Sequence, residues 1–79
     1  MTLDALDPGI PARISTIDWP TLAEEEGKRL RALGLDDGAL VEIAHRGVFG
    51  GHDPLAVRVG SMTIAVRRAH AATMTVELS

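Results

Sequence analysis

From Leu55 to Arg67 the chain alternates apolar and polar positions on either side of Gly60-Ser61. Two alternating runs joined by a two-residue turn that starts with glycine predict a type II′ β-hairpin. The turn sets the register. Val59 faces Met62, Val57 faces Ile64 and Leu55 faces Val66, and all six are apolar and share one face. The other face carries Arg58 opposite Thr63 and Ala56 opposite Ala65. A slip of one residue would turn the apolar set to solvent, so turn and pattern must agree.

The same period recurs in three more segments. Ala12–Ile17 alternates around Ile14. Ala39–Arg46 places Val41 and Ile43 on one face, with Leu40, Glu42 and Ala44 on the other. Met74, Val76 and Leu78 alternate with Thr73, Thr75 and Glu77. One segment follows the helical period instead: Leu22, Leu30 and Leu33 form a stripe, with Ala23 and Gly27 beside it. Thr21 and Glu24 fit a capping box at its start. Glu24, Glu25 and Glu26 occupy the first turn, and Lys28, Arg29 and Arg31 follow, as the helix dipole favours. Glu24–Lys28 and Glu25–Arg29 are spaced as i,i+4 ion pairs. Gly34 is placed to end the helix in a left-handed conformation. The helix is expected over Pro20 to Leu33.

The connections are legible as well. Leu3 and Leu6 ahead of Pro8, Gly9 and Pro11 read as an apolar anchor followed by a turn. Asp36-Asp37-Gly38 is a turn, and Arg68 to Ala72 is a single helical turn. Gly47 to Pro54 contains three glycines and a proline, which makes it a loop. The expected architecture is mainly β: about five short strands and one inserted helix, about 20–33, in a single domain over residues 1–79. A curled, barrel-like sheet is expected because closure limits exposed edges.

Composition narrows the function. At 79 residues the core is thin, but 46% of residues are hydrophobic, so the chain folds. Cysteine is absent, which removes disulfides and thiolate metal sites. The net charge is −3, with one Phe, one Trp and no Tyr. Nucleic acid is therefore not the expected partner, since phosphates call for clustered cations and single strands for aromatic platforms. No apolar run approaches the roughly 20 residues of a membrane span. Asp4 and Asp7 stand where a signal peptide would be basic. A cytoplasmic location without direct membrane insertion is expected.

No constellation for catalysis appears, and neither an enzyme nor a cofactor is expected. Gly50-Gly51 does not open a helix and lacks the Lys-Ser/Thr of a phosphate loop. His45, His52 and His70 follow no zinc spacing and read as structural or solvated. His52 with Asp53 beside it is the pair kept as candidate metal ligands. The Glu24–Glu26 run reads as a solvated face, and Arg67-Arg68 as a surface pair or a partner contact. Phe49, between Gly47 and Gly50, is either a contact residue on a loop or a plug folded back into the core.

Taken in order, these residues resemble the FeoA family, small cytosolic proteins of bacterial ferrous-iron uptake. The resemblance rests on Leu3-x-x-Leu6-x-x-Gly9 followed by Ala12 and Ile14, then on Arg29-Leu30-x-x-Leu33-Gly34-Leu35 and the turn ending at Gly38. It continues through Gly51, Asp53 and Pro54, then Val57-x-Val59, Gly60, Ile64, Arg67, Ala71 and Val76. His52 departs from the family's Gly-Asp-Pro run, and His70 stands where the family often has an acid. The resemblance implies an SH3-like barrel with a helix after the first strand and a non-enzymatic accessory role. It implies as partner the cytosolic GTPase part of the ferrous iron permease, and a location peripheral to the inner membrane through that permease. Leu33, Gly34, Phe49, Gly50, Gly51, Asp53, Pro54 and Arg67 are the candidate partner-binding residues, and a weak homo-oligomer is compatible with such a surface. The alternative is a metal- or ligand-sensing module related to the C-terminal domain of iron-dependent repressors.

Overall fold

A computed structural model describes residues 1–46 and 53–79. Five strands follow in chain order: β1 (Ala12–Ile17), β2 (Leu40–Arg46), β3 (Leu55–Val59), β4 (Met62–Val66) and β5 (Met74–Leu78). They form one antiparallel sheet in the order β4-β3-β2-β1-β5. A nine-residue helix α1 (Glu24–Ala32) lies between β1 and β2. A single turn α2 (Arg68–Ala71) lies between β4 and β5. Among the described residues no helix is long and apolar enough to cross a membrane.

The hairpin has the register its sequence dictates, from Leu55 opposite Val66 to Val59 opposite Met62. Gly60 takes φ +59 and Ser61 has no positive φ, as a type II′ turn requires. The apolar face is not covered along its full length. Val57 and Val66 are buried, but Met62, next to the turn, is 47% exposed because the core ends there. At the far end of the chain Leu78 also leaves the core. In β2 Val41 and Ile43 turn inward and Leu40 faces solvent, as their alternation requires.

The sheet bends at two irregularities, one between Ile14 and Thr16 on β1 and one between Ile43 and His45 on β2. Such bulges sharpen the local twist and curl a small sheet around its contents. Curling limits the exposed edges, as expected from the sequence, without joining them. β4 and β5 flank opposite sides of the sheet and are not paired with each other. The contents are Leu3 and Leu6 from the N-terminal segment, Leu22, Leu30 and Leu35 from the helical connection, and Ala71 from α2. No polar or charged residue is buried among the described residues.

The helix begins four residues later than its spacing implies. Thr21 does not cap it. Its Oγ1 donates to Asp18 Oδ2 at 2.6 Å and closes a separate 3-10 turn over Trp19–Thr21. Leu22 and Ala23 are then extended, which lets Leu22 reach the core, and Ala23 is the N-cap without a side-chain bond. Glu24 pairs with Lys28 at 3.5 Å as its spacing predicts. Arg29 turns to Glu26 instead of Glu25, at 2.6 Å. Both i,i+3 and i,i+4 neighbours are in reach on a helix, and the Glu26 side pays less entropy because that carboxylate is already half covered.

The helix ends where expected, and its end is closed by backbone hydrogen bonds. The Gly34 amide donates to Arg31 O at 3.0 Å and the Leu35 amide donates to Leu30 O at 3.0 Å. These two bonds define a Schellman closure, and its usual apolar contact unites Leu30 and Leu35, both fully buried. Gly34 has φ +102, and a Cβ there would sit 3.1 Å from Val59 Cγ1. The Gly38 amide then donates to Ile14 O at 2.7 Å, and the Ile14 amide donates to Ala39 O at 2.9 Å, which sews the exit of the helix onto β1.

Two outcomes follow for stability, both measured by urea unfolding. Gly34→Ala costs about 1–2 kcal/mol, from the left-handed backbone and the crowding of Val59. Gly38→Ala, whose added methyl meets nothing within 4 Å, costs less. Leu30→Ala costs about 2–5 kcal/mol, whereas exposed Leu40→Ala stays within about 0.5 kcal/mol.

Candidate functional site

Helix α1 crosses one end of the sheet and presents Glu26 and Arg29 toward the segment that follows β4. There a groove of about 380 Å³ is lined by Glu26, Arg29, Asp53, Pro54, Ala65 and Arg67. Each side chain arrives by a separate route. Glu26 and Arg29 stand three apart on α1, Asp53 and Pro54 lead into β3, and Arg67 leaves β4 as the N-cap of α2.

The charges in this groove are mostly committed. Arg29 Nη2 and Nε donate to Glu26 Oε1 at 2.6 and 3.1 Å. That bond holds the Glu26 carboxyl below its ordinary range and raises the Arg29 guanidinium, with nearby His70 and Arg67 adding to the effect on Glu26. Asp53 Oδ1 accepts the Arg68 amide at 2.9 Å, so its carboxylate anchors the start of α2. His70 Nδ1 lies 3.5 Å from Glu26 Oε1 and makes no hydrogen bond to a described residue. Arg67 makes neither an ion pair nor a side-chain hydrogen bond among the described residues. Its guanidinium is exposed and acts on Glu26 only through space, with its donors unbonded among the described residues.

Of the residues singled out by sequence, Asp53, Pro54 and Arg67 come together here. Leu33 and Gly34 do not join them. They sit at the end of α1, where Gly34 lies against Val59 and both amides bond back into the helix. Phe49, Gly50, Gly51 and His52 lie outside the described residues. By sequence Glu26 belongs to a run that reads as a solvated face, and Arg29 is spaced to pair with Glu25. Their i,i+3 spacing was visible, but nothing local to the helix says that Arg67 will arrive beside it. Among the described residues no three His, Cys, Asp or Glu side chains converge as a metal site, and Asp53 is already bonded to the Arg68 amide.

A second, more apolar groove of about 440 Å³ runs along the other side of α1, past Trp19, Leu22 and Gly27. Arg31 covers the Trp19 ring, with Cζ 4.2 Å from its centroid. Trp19 packs against the helix at Gly27, where a Cβ would meet its ring at 3.4 Å, an ordinary van der Waals contact.

The Glu26–Arg29 pair carries a pH dependence with a defined sign. Folding lowers the Glu26 pKa, so the stabilisation is present above the ordinary carboxylate range. It is lost as pH falls through the lowered value. Urea unfolding of the wild type and of Glu26→Gln should show an advantage for Glu26 near neutral pH that disappears in acid.

Comparison with known proteins agrees with this architecture. The family model of the FeoA domain matches residues 1–78. The solution structure of iron(II) transport protein A from Clostridium thermocellum superposes with a TM-score of 0.84 at 29% identity, covering 99% of this chain and 45% of that one. FeoA from Stenotrophomonas maltophilia superposes with a TM-score of 0.80 at 31% identity, covering 98% of this chain and 89% of that one. That protein was crystallised with zinc and is described as an SH3 domain protein put forward as a bacterial ferrous iron transport activating factor. IdeR of T. acidophilum shares the fold at 23% identity and a TM-score of 0.78, over 34% of its own chain. The chain thus spans less than half of the Clostridium thermocellum protein and about a third of IdeR. No curated protein matches the sequence. With five strands in SH3-like order, one helix after the first strand, and a family match over nearly its whole length, the chain belongs to the FeoA family.

Proposed function

We propose that this chain is a non-enzymatic accessory protein of bacterial ferrous iron uptake, and that it acts in the cytoplasm by binding the cytosolic GTPase part of the ferrous iron permease. The observation that carries this reading is the family match over residues 1–78, joined to the role put forward for the Stenotrophomonas maltophilia relative. The chemistry of the surface is consistent with it. The described residues offer exposed charge and shallow grooves around α1, which suit contact with another protein better than turnover of a small substrate. Location at the inner membrane then follows from the permease and needs no span in the described chain. Asp53, Pro54 and Arg67, together with Phe49, Gly50 and Gly51 of the preceding loop, form the proposed contact region.

A metal-sensing module is the second reading, favoured by the zinc found with the Stenotrophomonas maltophilia protein. Titration calorimetry with Fe(II) or Mn(II) separates the two. The accessory reading expects no micromolar binding, and micromolar binding abolished by His52→Ala would favour the sensor.

The test of the first reading is retention of the permease's cytosolic GTPase domain by the immobilised chain, with and without nucleotide. The wild type should retain the domain. Phe49→Asp should weaken retention at least about fivefold, the loss of about 1 kcal/mol that marks a contributing interface residue. A folded Phe49→Asp variant that binds as well as the wild type removes the loop from the surface. A wild type that never retains the domain overturns the reading.

A further inference from the structure

The two edges of the sheet are treated differently. The β5 edge is covered: Thr2 bridges to Thr75, and the Val76 amide donates to Met1 O at 2.8 Å. The β4 edge has no such cover among the described residues. Its sequence, Met62-Thr63-Ile64-Ala65-Val66, contains no charge and no proline, and its pairing with β3 runs without a bulge. Lysine, proline and bulges are the devices that keep an edge from accepting another strand, and β4 has none of them.

The hairpin register shows which groups are offered. A two-residue turn closes on a hydrogen-bonded pair, here Val59 and Met62, and such pairs alternate along an antiparallel ladder. Ile64 and Val66 therefore bond to β3. The N–H and C=O groups of Thr63 and Ala65 point away from it. Both residues are exposed. The edge then runs directly into the groove beside α1, where Ala65 and Arg67 form part of the wall. In that groove the Glu26 and Asp53 carboxylates are bonded to Arg29 and the Arg68 amide, and Arg67, which acts on Glu26 only through space, keeps its donors unbonded among the described residues.

We propose that the β4 edge is a docking site for an extended peptide segment that adds as a further strand through Thr63 and Ala65 and places a carboxylate against Arg67. Backbone bonding supplies the attachment and the carboxylate supplies the choice of segment. For the identity of the protein that carries the segment, this rests on the reading above: it is an acidic extended stretch of the permease's GTPase domain.

The test uses the full chain labelled with 15N and two kinds of probe. One is the permease's cytosolic GTPase domain. The other is a pair of capped synthetic peptides of alternating Thr and Val, one ending in Glu and its twin ending in Lys. Amide shifts on binding should centre on Thr63, Ala65 and Arg67, and the Glu peptide should bind at least about tenfold tighter than its twin. Arg67→Glu should reverse that preference. An N-methyl group at Ala65, introduced by chemical synthesis, removes an outward N–H without touching the β3–β4 ladder, and it should abolish binding of both probes. Shifts that map elsewhere, equal binding of the two peptides, or an N-methylated chain that binds normally would each overturn the proposal. A GTPase domain that fails to bind while the Glu peptide maps to β4 would sink the permease reading and leave the edge site standing. A domain that binds without perturbing β4 would do the reverse, and failure of both probes would overturn both.

Discussion

The closure at the end of α1 is the contact on which the rest of the molecule depends. A sheet this small cannot bury its inner face by curling alone, because its edges do not meet. The missing cover comes from side chains delivered by connections, and Leu30 and Leu35 are the pair that joins one connection to the sheet. Their contact requires the chain to reverse within a few residues. The reversal uses a left-handed residue at position 34, and a Cβ there would crowd Val59 Cγ1 at 3.1 Å, so glycine suits the position. The turn that follows bonds back to Ile14 on β1. Helix, first strand, second strand and hairpin are thus fixed by one seven-residue passage, 33–39.

That constraint also explains what the surface can do. With Leu30 pinned inward, the opposite and flanking faces of α1 have fixed directions. Glu26 and Arg29 are directed at the end of β4, and Trp19 is laid over Gly27 on the other side. The groove beside Arg67 is therefore a consequence of core packing rather than of local polar chemistry. Among the described residues no polar or charged residue is buried, the covered Nδ1 atom of half-buried His70 being the nearest case, so the charged groups lie on the outside.

The hairpin was readable to the residue because two local signals, the Gly60-Ser61 turn and the period-2 pattern, had to agree. The helix end was readable for a similar reason, since Gly34 follows an apolar stripe and precedes Leu35. The helix start was not. Thr21 has a partner in Asp18 that competes with the cap, and Leu22 is drawn into the core by tertiary packing that no local pattern records. The strand count and the curled, SH3-like architecture are as the sequence leads one to expect, but the sequence does not show that Met1 and Thr2 line the β5 edge while, among the described residues, nothing lines the β4 edge. The groove was half legible. Asp53, Pro54 and Arg67 stand out through the family resemblance, whereas Glu26 and Arg29 join them only through the fold.

Amide hydrogen exchange of the isolated chain reports on both the closure at the end of α1 and the β4 edge, which is uncovered among the described residues. The Leu35, Gly38 and Ile14 amides should be among the slowest to exchange, because they close the passage that opens only with global unfolding. Thr63 and Ala65 should exchange at the rates of solvent-facing amides, while Ile64 and Val66 beside them are protected by β3. Slow exchange at Thr63 and Ala65 in the isolated chain, or fast exchange at Leu35, would contradict this account.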